Sequence, residues 1–301
     1  MAARGAERSA PETIAGVTIT HPDKLLWARD GIAKRDLAAY QAWIAPVMLR
    51  YAAGRPLTLR PFPRGLDQPG FYLKDKPKGA PPWLQTYTET AESTGEPIDF
   101  IVAADARTLV WLAQFNAPEV HTWLSTVDRP DLPDWAVMDL DPGDDTPWDW
   151  VARSALAVRE TLAAEGLESF AKLSGSSGVH VMVPLEPIHP YDSVRRFMER
   201  VAERLEAWHG DVVTTQYHTR ERGRRVLFDY AQNAHGKNTV CAYSVRASPG
   251  APVSAPIGWE ELHDPLMRST RFTLGTMRER LEAVGDLLEP ALKLRQRLPE
   301  R

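Results

Sequence analysis

The chain has 301 residues, enough to bury a full hydrophobic core, and its composition (43% hydrophobic, 25% charged) is that of an ordinary globular protein. It contains no run of about 18 apolar residues, which excludes an apolar membrane-spanning helix, and its small polar start lacks the apolar stretch of a secretory signal. The single cysteine, Cys241, excludes an intramolecular disulfide and a cysteine-rich zinc site and fits a reducing cytoplasm, while the net charge of −4 speaks against a nucleic-acid partner until its distribution is considered.

In chain order, residues 1–12 are expected to form a disordered lead-in. From Pro22 to Ala80 the chain is basic, with eleven Lys/Arg against five Asp/Glu. Within that stretch Asp36 to Ala53 reads as a helix with Leu37, Tyr40, Ile44, Val47 and Tyr51 on one face and a kink at Pro46. Pro56 to Phe62 and Phe71 to Lys74 are extended candidates around a Pro/Gly-rich turn. Ile98 to Ala103 reads as a strand, and Asp105 to Asn116 as a short helix with Leu109 and Leu112 inward.

From Glu119 to Asp149 there are nine acidic residues and one basic. This stretch holds a buried strand, Trp135 to Leu140, and then a helix start. Thr146 is the expected cap, Pro147 occupies the first turn and Asp149 suits the positive end of the dipole. Trp148, Val151, Ala155, Val158 and Leu162 repeat at helical spacing until Gly166. Strands at Ser169 to Leu173 and Val179 to Pro184 follow, joined by a Gly/Ser turn, and then a helix from Tyr191 to Trp208.

From Gln216 to Gly250 the balance turns basic again, six against two. Val226 to Tyr230 and Thr239 to Val245 look like a pair of strands. The tail from Thr276 to Leu298 is expected to be mostly helical, with a break at Pro290. Strands and helices interleave without strict βαβ alternation. The expected fold is therefore mixed α/β, two packed lobes with β-sheets flanked by helices. An acidic centre between two basic segments is what a cation site between polyanion-binding surfaces needs, although solvated faces would give the same composition.

The sharpest local signal is Val137-Met138-Asp139-Leu140-Asp141-Pro142-Gly143. Residues two apart on a strand share a face, so Asp139 and Asp141 project together while Met138 and Leu140 enter the core. Two carboxylates held together repel unless a cation neutralises them or one is protonated, and an oxygen-rich pair suits Mg²⁺ or Mn²⁺. An acidic turn without a ligand remains open at this point, as does a nucleotide-sugar transferase. A calcium loop does not, because position twelve from Asp139 is Trp150. Asp229 lies in an apolar run, Arg225 to Tyr230, where an aspartate is costly unless metal-bound or paired with Arg224 or Arg225. Three carboxylates on adjacent strands could hold two ions for phosphoryl transfer.

Lys172 to His180 contains a Gly/Ser turn whose N–H groups could cradle phosphate, with Ser174 and His180 as further donors, although most such turns are merely hairpins. Arg222, Lys237 and Arg246 could grip a triphosphate. Phe71 and Tyr72 could stack on bases, with core packing expected for at least one of them.

With these residues, the sequence resembles the polymerase domain of bacterial ATP-dependent DNA ligase D, in the archaeo-eukaryotic primase superfamily. The resemblance runs from about Thr18 to Leu288. It is carried by His21-Pro22-Asp23-Lys24-Leu25-Leu26, Ala53-Gly54-Arg55-Pro56, Asp67-Gln68-Pro69-Gly70-Phe71-Tyr72, Ala80-Pro81-Pro82-Trp83-Leu84 and Glu119-Val120-His121. Asp139 to Gly143, the turn from Ser174 to His180, Phe228 to Asn233 and Tyr243 to Arg246 complete it.

The resemblance implies one catalytic domain of two lobes over residues 13–301, adding nucleotides to DNA ends or gaps under a template's direction in non-homologous end joining. Ribonucleotides would be preferred over dNTPs, Ku and a DNA ligase would be partners, and the setting would be cytoplasmic, at the nucleoid. It implies two Mn²⁺ or Mg²⁺ ions on Asp139, Asp141 and Asp229. Nucleotide contacts would come from His121, Ser174, His180, Arg222, Lys237 and Arg246. A downstream 5′-phosphate would lie on Lys24 and Lys34, and a template on Phe71 and Tyr72.

Two departures stand out. Ser177 replaces a lysine of the family turn, for which Lys172 is the nearest substitute, and there is no Lys-x-Asp-Gly ligase motif. The chain is therefore expected to be a stand-alone relative or a piece of a longer protein. A non-catalytic end-binding module that recruits a ligase is the alternative reading. A metal-dependent nuclease is a weaker one.

Overall fold

Two hydrophobic cores organise the chain in a computed structural model that describes residues 10–91, 94–143 and 145–299. Most of the expected lead-in, residues 1–9, lies outside the described residues. Glu12, assigned to its end, already pairs with Ile19 across the first hairpin, β1 (Glu12–Ile14) and β2 (Val17–Ile19).

A second hairpin, β3 (Leu25–Trp27) and β4 (Ile32–Ala33), runs directly into helix α1 (Lys34–Ala52). The helix begins before Asp36 because that carboxylate accepts the Ala33 N–H at 2.7 Å and so caps the preceding turn. Leu37, Tyr40, Ile44 and Tyr51 are buried on its inner face, and Pro46 sits inside it. After β5 (Leu57–Thr58) come the paired strands β6 (Thr86–Thr90) and β7 (Pro97–Ile101). Helix α2 (Ala106–Gln114) follows, where Asp105 accepts the Thr108 N–H at 2.7 Å. The hairpins and β6 carried no sequence signal, since two to five residues offer too few alternations to define a period.

The second core lies under a six-stranded sheet. After β8 (His121–Thr122), the long β9 (Trp135–Pro142) leads to α3 (Trp148–Ala164), β10 (Phe170–Leu173), β11 (Val179–Pro184) and α4 (Tyr191–His209). Then come β12 (Val213–Thr214), the short α5 (Thr219–Arg222), β13 (Val226–Asp229), β14 (Thr239–Val240), β15 (Pro256–Ile257) and α6 (Met277–Val284). The sheet order is β12-β13-β9-β11-β10-β15, antiparallel throughout except β12 with β13. Met138, Leu140 and Phe228 point into the core beneath, against Val151, Val158 and Leu162 of α3 and Phe197, Val201 and Leu205 of α4.

Three expectations are corrected. Thr146 does not cap α3. Its hydroxyl lies 2.8 Å from Gly143 O and 2.6 Å from Arg224 O, and Pro147 takes the cap position. The strands at Val226 and Thr239 do not pair with each other: β13 lies beside β9, whereas β14 joins a separate sheet, β14-β8-β5. The tail holds only α6 and a 3₁₀ turn at Glu289–Lys293, because Gly285 at φ 70° ends the helix. Among the described residues no helix is long and apolar enough to cross a membrane.

Candidate active site

Sheet register lines four polar residues across four strands. Lys172 of β10 lies opposite His180 of β11, His180 opposite Asp139 of β9, and Asp139 opposite Asp229 of β13. Asp141 shares the face two residues along β9, so all five side chains leave the sheet on the side away from the second core. The β13 ladder stops at Asp229, but the buried Asn233 extends it. Its Oδ1 accepts the Val137 N–H at 2.9 Å, and its Nδ2 donates to Val137 O at 2.6 Å.

Asp139 and Asp141 are both pushed above the ordinary carboxylate range, first by burial and then by neighbouring carboxylates: Asp141 and Asp229 act on Asp139, and Asp229 on Asp141. Asp139 Oδ1 is buried without a hydrogen bond, although His180 Nε2 stands 3.3 Å away. Asp229 accepts Ala231 N–H at 3.0 Å and Gln232 Nε2–H at 2.8 Å. Arg224 donates instead to Asp145 O, and Arg225 to Arg222 O, so the ion pair that would explain Asp229 without a cation is not made. Among the described residues no three His, Cys, Asp or Glu side chains converge as a closed metal-ligand set. Buried, mutually repelling carboxylates and an orphaned oxygen nevertheless fit a divalent cation.

The opposite wall is built on Glu119. Its buried carboxylate accepts from His121 Nε2 at 2.8 Å, Ala247 N at 2.9 Å, Arg246 Nε at 3.3 Å and Arg60 Nη1 at 3.5 Å. Burial pushes Glu119 up, but the His121 hydrogen bond and the Arg246 charge outweigh it and hold the carboxyl at about 2. Burial lowers His121 below its ordinary value, so its ring is neutral, Nε2–H donates to Glu119 and Nδ1 is an acceptor. Arg60 also stacks on Tyr72, 5.4 Å from the ring centre, and Tyr72 meets His121 edge-on.

Between the walls lies a cleft of about 470 Å³, within the range of small-molecule sites. It brings together Asp139, Asp141, His121, His180, Ser174, Lys237, Arg246 and Tyr72 from the sequence reading. Asp229 lies behind this surface, and Arg222 reaches Asp141 O at 3.4 Å with its Nε buried and unbonded. Phe71 and Tyr72 are 51% and 63% exposed, so neither takes the core position expected for one of them. Lys24 and Lys34 lie outside the cleft. Lys24 donates to Pro63 O at 2.8 Å and Lys34 to Gln114 O at 3.1 Å; burial, then the nearby Lys24 charge, draws Lys34 down to about 8.

The Gly/Ser turn differs from expectation. Ser174 Oγ accepts from Ser176 N and Gly178 N and bonds Ser269 Oγ, so two amides expected to cradle phosphate are already satisfied. Gly178 is required there, since a Cβ would come within 1.7 Å of Leu140 O. Lys172 does not stand in for the lysine missing at Ser177. It is buried, which draws its pKa down to about 7, and its Nζ donates to Val240 O and Ser254 Oγ, both 2.9 Å away, and lies 3.0 Å from His180 Nδ1. Sequence reasoning did not find Lys74, Thr58, Asn238 and Thr239 on the cleft wall, nor the supporting roles of Glu119 and Asn233. Only the two-residue spacing of Glu119 and His121 hinted at a shared face.

A family model described as the LigD primase-polymerase domain matches residues 33–288. A Mycobacterium tuberculosis protein named multifunctional non-homologous end joining DNA repair protein LigD is 36% identical over 281 residues, 91% of this chain and 36% of that protein. A Pseudomonas aeruginosa protein named multifunctional non-homologous end joining protein LigD is 33% identical over 286 residues, 95% of this chain and 33% of that protein. The chain thus spans about a third of the length of these relatives. The solved polymerase domain from Mycobacterium tuberculosis ligase D, in complex with DNA, matches with a TM-score of 0.85 and 34% identity, covering 93% of this chain and 99% of that one.

Proposed function

The chain belongs to the LigD primase-polymerase domain family, a family of polymerase- and primase-type nucleotidyltransferases, and from that premise we propose that it adds nucleotides to DNA ends or gaps in non-homologous end joining. Addition is directed by a template and prefers ribonucleotides over dNTPs. The observation that carries the reading is the cleft in which Asp139 and Asp141, next to Asp229 in the sheet, face a lining that carries Lys74, Lys237 and Arg246. That arrangement matches a substrate whose triphosphate is held on one side and whose reacting phosphorus faces carboxylates on the other.

Asp139, Asp141 and Asp229 are the residues that would hold Mn²⁺ or Mg²⁺. Such a pair of cations, when bound, lowers the pKa of an attacking hydroxyl and neutralises a leaving pyrophosphate. Arg246, Lys237 and Arg222 bind the triphosphate, with His121 and His180 lining the same space. Tyr72, braced by Arg60, offers a stacking platform for the template with Phe71. Lys24 and Lys34, brought close enough to repel, take the 5′-phosphate of a downstream strand, and binding it relieves that repulsion. Residues 13–301 act as one catalytic domain, in the cytoplasm at the nucleoid, with Ku and a DNA ligase as partners.

Primer extension with labelled NTPs in Mn²⁺ tests the reading. Asp139→Ala should lose more than the roughly 100-fold that loss of an outer-shell partner costs, while still retaining DNA on a gel. Full extension by that variant sinks the proposal. Retention without extension by the unmodified protein replaces it with a non-catalytic end-binding module. Lys24→Ala should weaken binding about 5-fold on gapped DNA bearing a 5′-phosphate, and equal weakening without the phosphate argues against its assigned role.

A further inference from the structure

The line of residues across the sheet ends on a buried lysine that the proposed chemistry does not use. Lys172 is 1% exposed, on the strand next to His180 and two strands from Asp139. Three groups surround its Nζ, and two of them can only accept. Val240 O is a carbonyl. Ser254 Oγ gives its own hydrogen to Leu173 O at 2.8 Å and so offers only its lone pairs to the lysine. The third partner, His180 Nδ1 at 3.0 Å, is the one whose role is open.

Lysine state and histidine tautomer are linked at that contact. An ammonium has a third N–H and requires a bare Nδ1, which leaves the ring proton on Nε2. A neutral amine would present its lone pair and require Nδ1–H, leaving a bare Nε2. The far side of the ring shows which of the two arrangements is present. Nε2 stands 3.3 Å from Asp139 Oδ1, where a lone pair would face a carboxylate and an N–H would be attracted to it.

We propose that Lys172 is a positioning residue that fixes His180 as its Nε2–H tautomer, so that the imidazole presents a donor to Asp139 and the cleft. The inference rests on the nucleotidyl-transfer reading for its purpose, though not for its test. Lys172 also joins the walls, since Val240 lies on β14 directly opposite His121 of β8. One buried ammonium therefore holds His180 to the sheet and the His121 strand against it.

The ¹⁵N spectrum of histidine-labelled protein at about pH 6, with the signal identified by its loss in His180→Gln, reads the tautomer directly. The unmodified protein should show His180 with a protonated Nε2 and a bare Nδ1. Lys172→Met, of similar length and without a donor, should lose that preference and bind Mn²⁺ about 10-fold more weakly in the absence of nucleotide. His180 found as Nδ1–H in the unmodified protein overturns the proposal, whether or not the variant folds. An unchanged tautomer in a folded Lys172→Met overturns it equally. Because the spectrum needs no turnover, a protein with no extension activity but an Nε2–H His180 would refute the functional reading and leave this one standing.

Discussion

The two walls of the cleft each carry a buried histidine, and each histidine is held by a buried ionisable partner, a lysine on one wall and a glutamate on the other. On the sheet wall His180 leans on the Lys172 Nζ, and on the facing wall His121 leans on the Glu119 carboxylate. Burial keeps both rings neutral, so the difference between them lies in which nitrogen carries the proton. His121 donates away from the cleft, to Glu119, whereas the proposed form of His180 donates towards Asp139. Residue type alone therefore says little about a cleft histidine, and the partner behind it sets what it offers. The carboxylate wall should respond to mutation through metal binding, and the Glu119 wall through nucleotide binding.

Glu119→Gln should show the larger effect. Arg246, Arg60 and His121 lose their shared counter-charge, so the nucleotide KM should rise roughly 10-fold while Mn²⁺ affinity stays nearly unchanged. Folded Glu119 has its pKa depressed to about 2, so its contribution is fully present above the unfolded value near 4.5 and is lost as pH falls from about 5 to about 2. Denaturation should accordingly show the variant roughly 3 kcal/mol less stable at pH 7, with the gap closing through that window. A constant gap down to pH 2 would mean that the carboxylate charge is not what matters.

Asn233→Ala tests the other wall. The substitution leaves Val137 N–H and C=O without partners and frees the end of β13, for a loss of roughly 2 kcal/mol seen as a lower Tm. Asp229 is held in line with Asp139 by that splice, so Mn²⁺ affinity should fall while the nucleotide KM changes little. If both variants shift both quantities alike, the division of labour between the walls does not hold.

The sequence made the carboxylate wall far more legible than the facing one. Asp139 and Asp141 announce a shared face through strand spacing alone, and Asp229 stood out as a charge in an apolar strand. Glu119 is separated from Arg246 by 127 positions and from Arg60 by 59, so no local pattern could join them. Lys172 was visible, but its nearness to Ser177 suggested a solvent-facing substitute. In β10 it occupies the same face as His180, where only the register shows that its ammonium turns inward under the histidine. Short pairings such as β8 with β5 and β14, two residues each, depend on long-range contacts rather than on propensity.

The smallest expected effect comes from adding a charge to the sheet wall. Ser177 lines the cleft, is exposed, and is not among the left-handed residues of the turn, so a lysine fits its backbone without strain. The cations that line the cleft, Arg246, Lys237 and Lys74, come from outside the six-stranded sheet, and the Lys172 charge is spent beneath His180. Ser177→Lys would place a solvated cation on the cleft lining, where an exposed ion pair with a bound triphosphate contributes up to about 1 kcal/mol. The nucleotide KM should therefore fall by no more than about 5-fold, more at low salt than at high, with kcat little changed. A drop much larger than this would mean that the sheet wall also grips the triphosphate, and the contrast between the walls would then be one of degree. No change at low salt would mean that Lys237, Arg246 and Lys74 already saturate the phosphate, and that the serine costs this chain nothing in nucleotide binding.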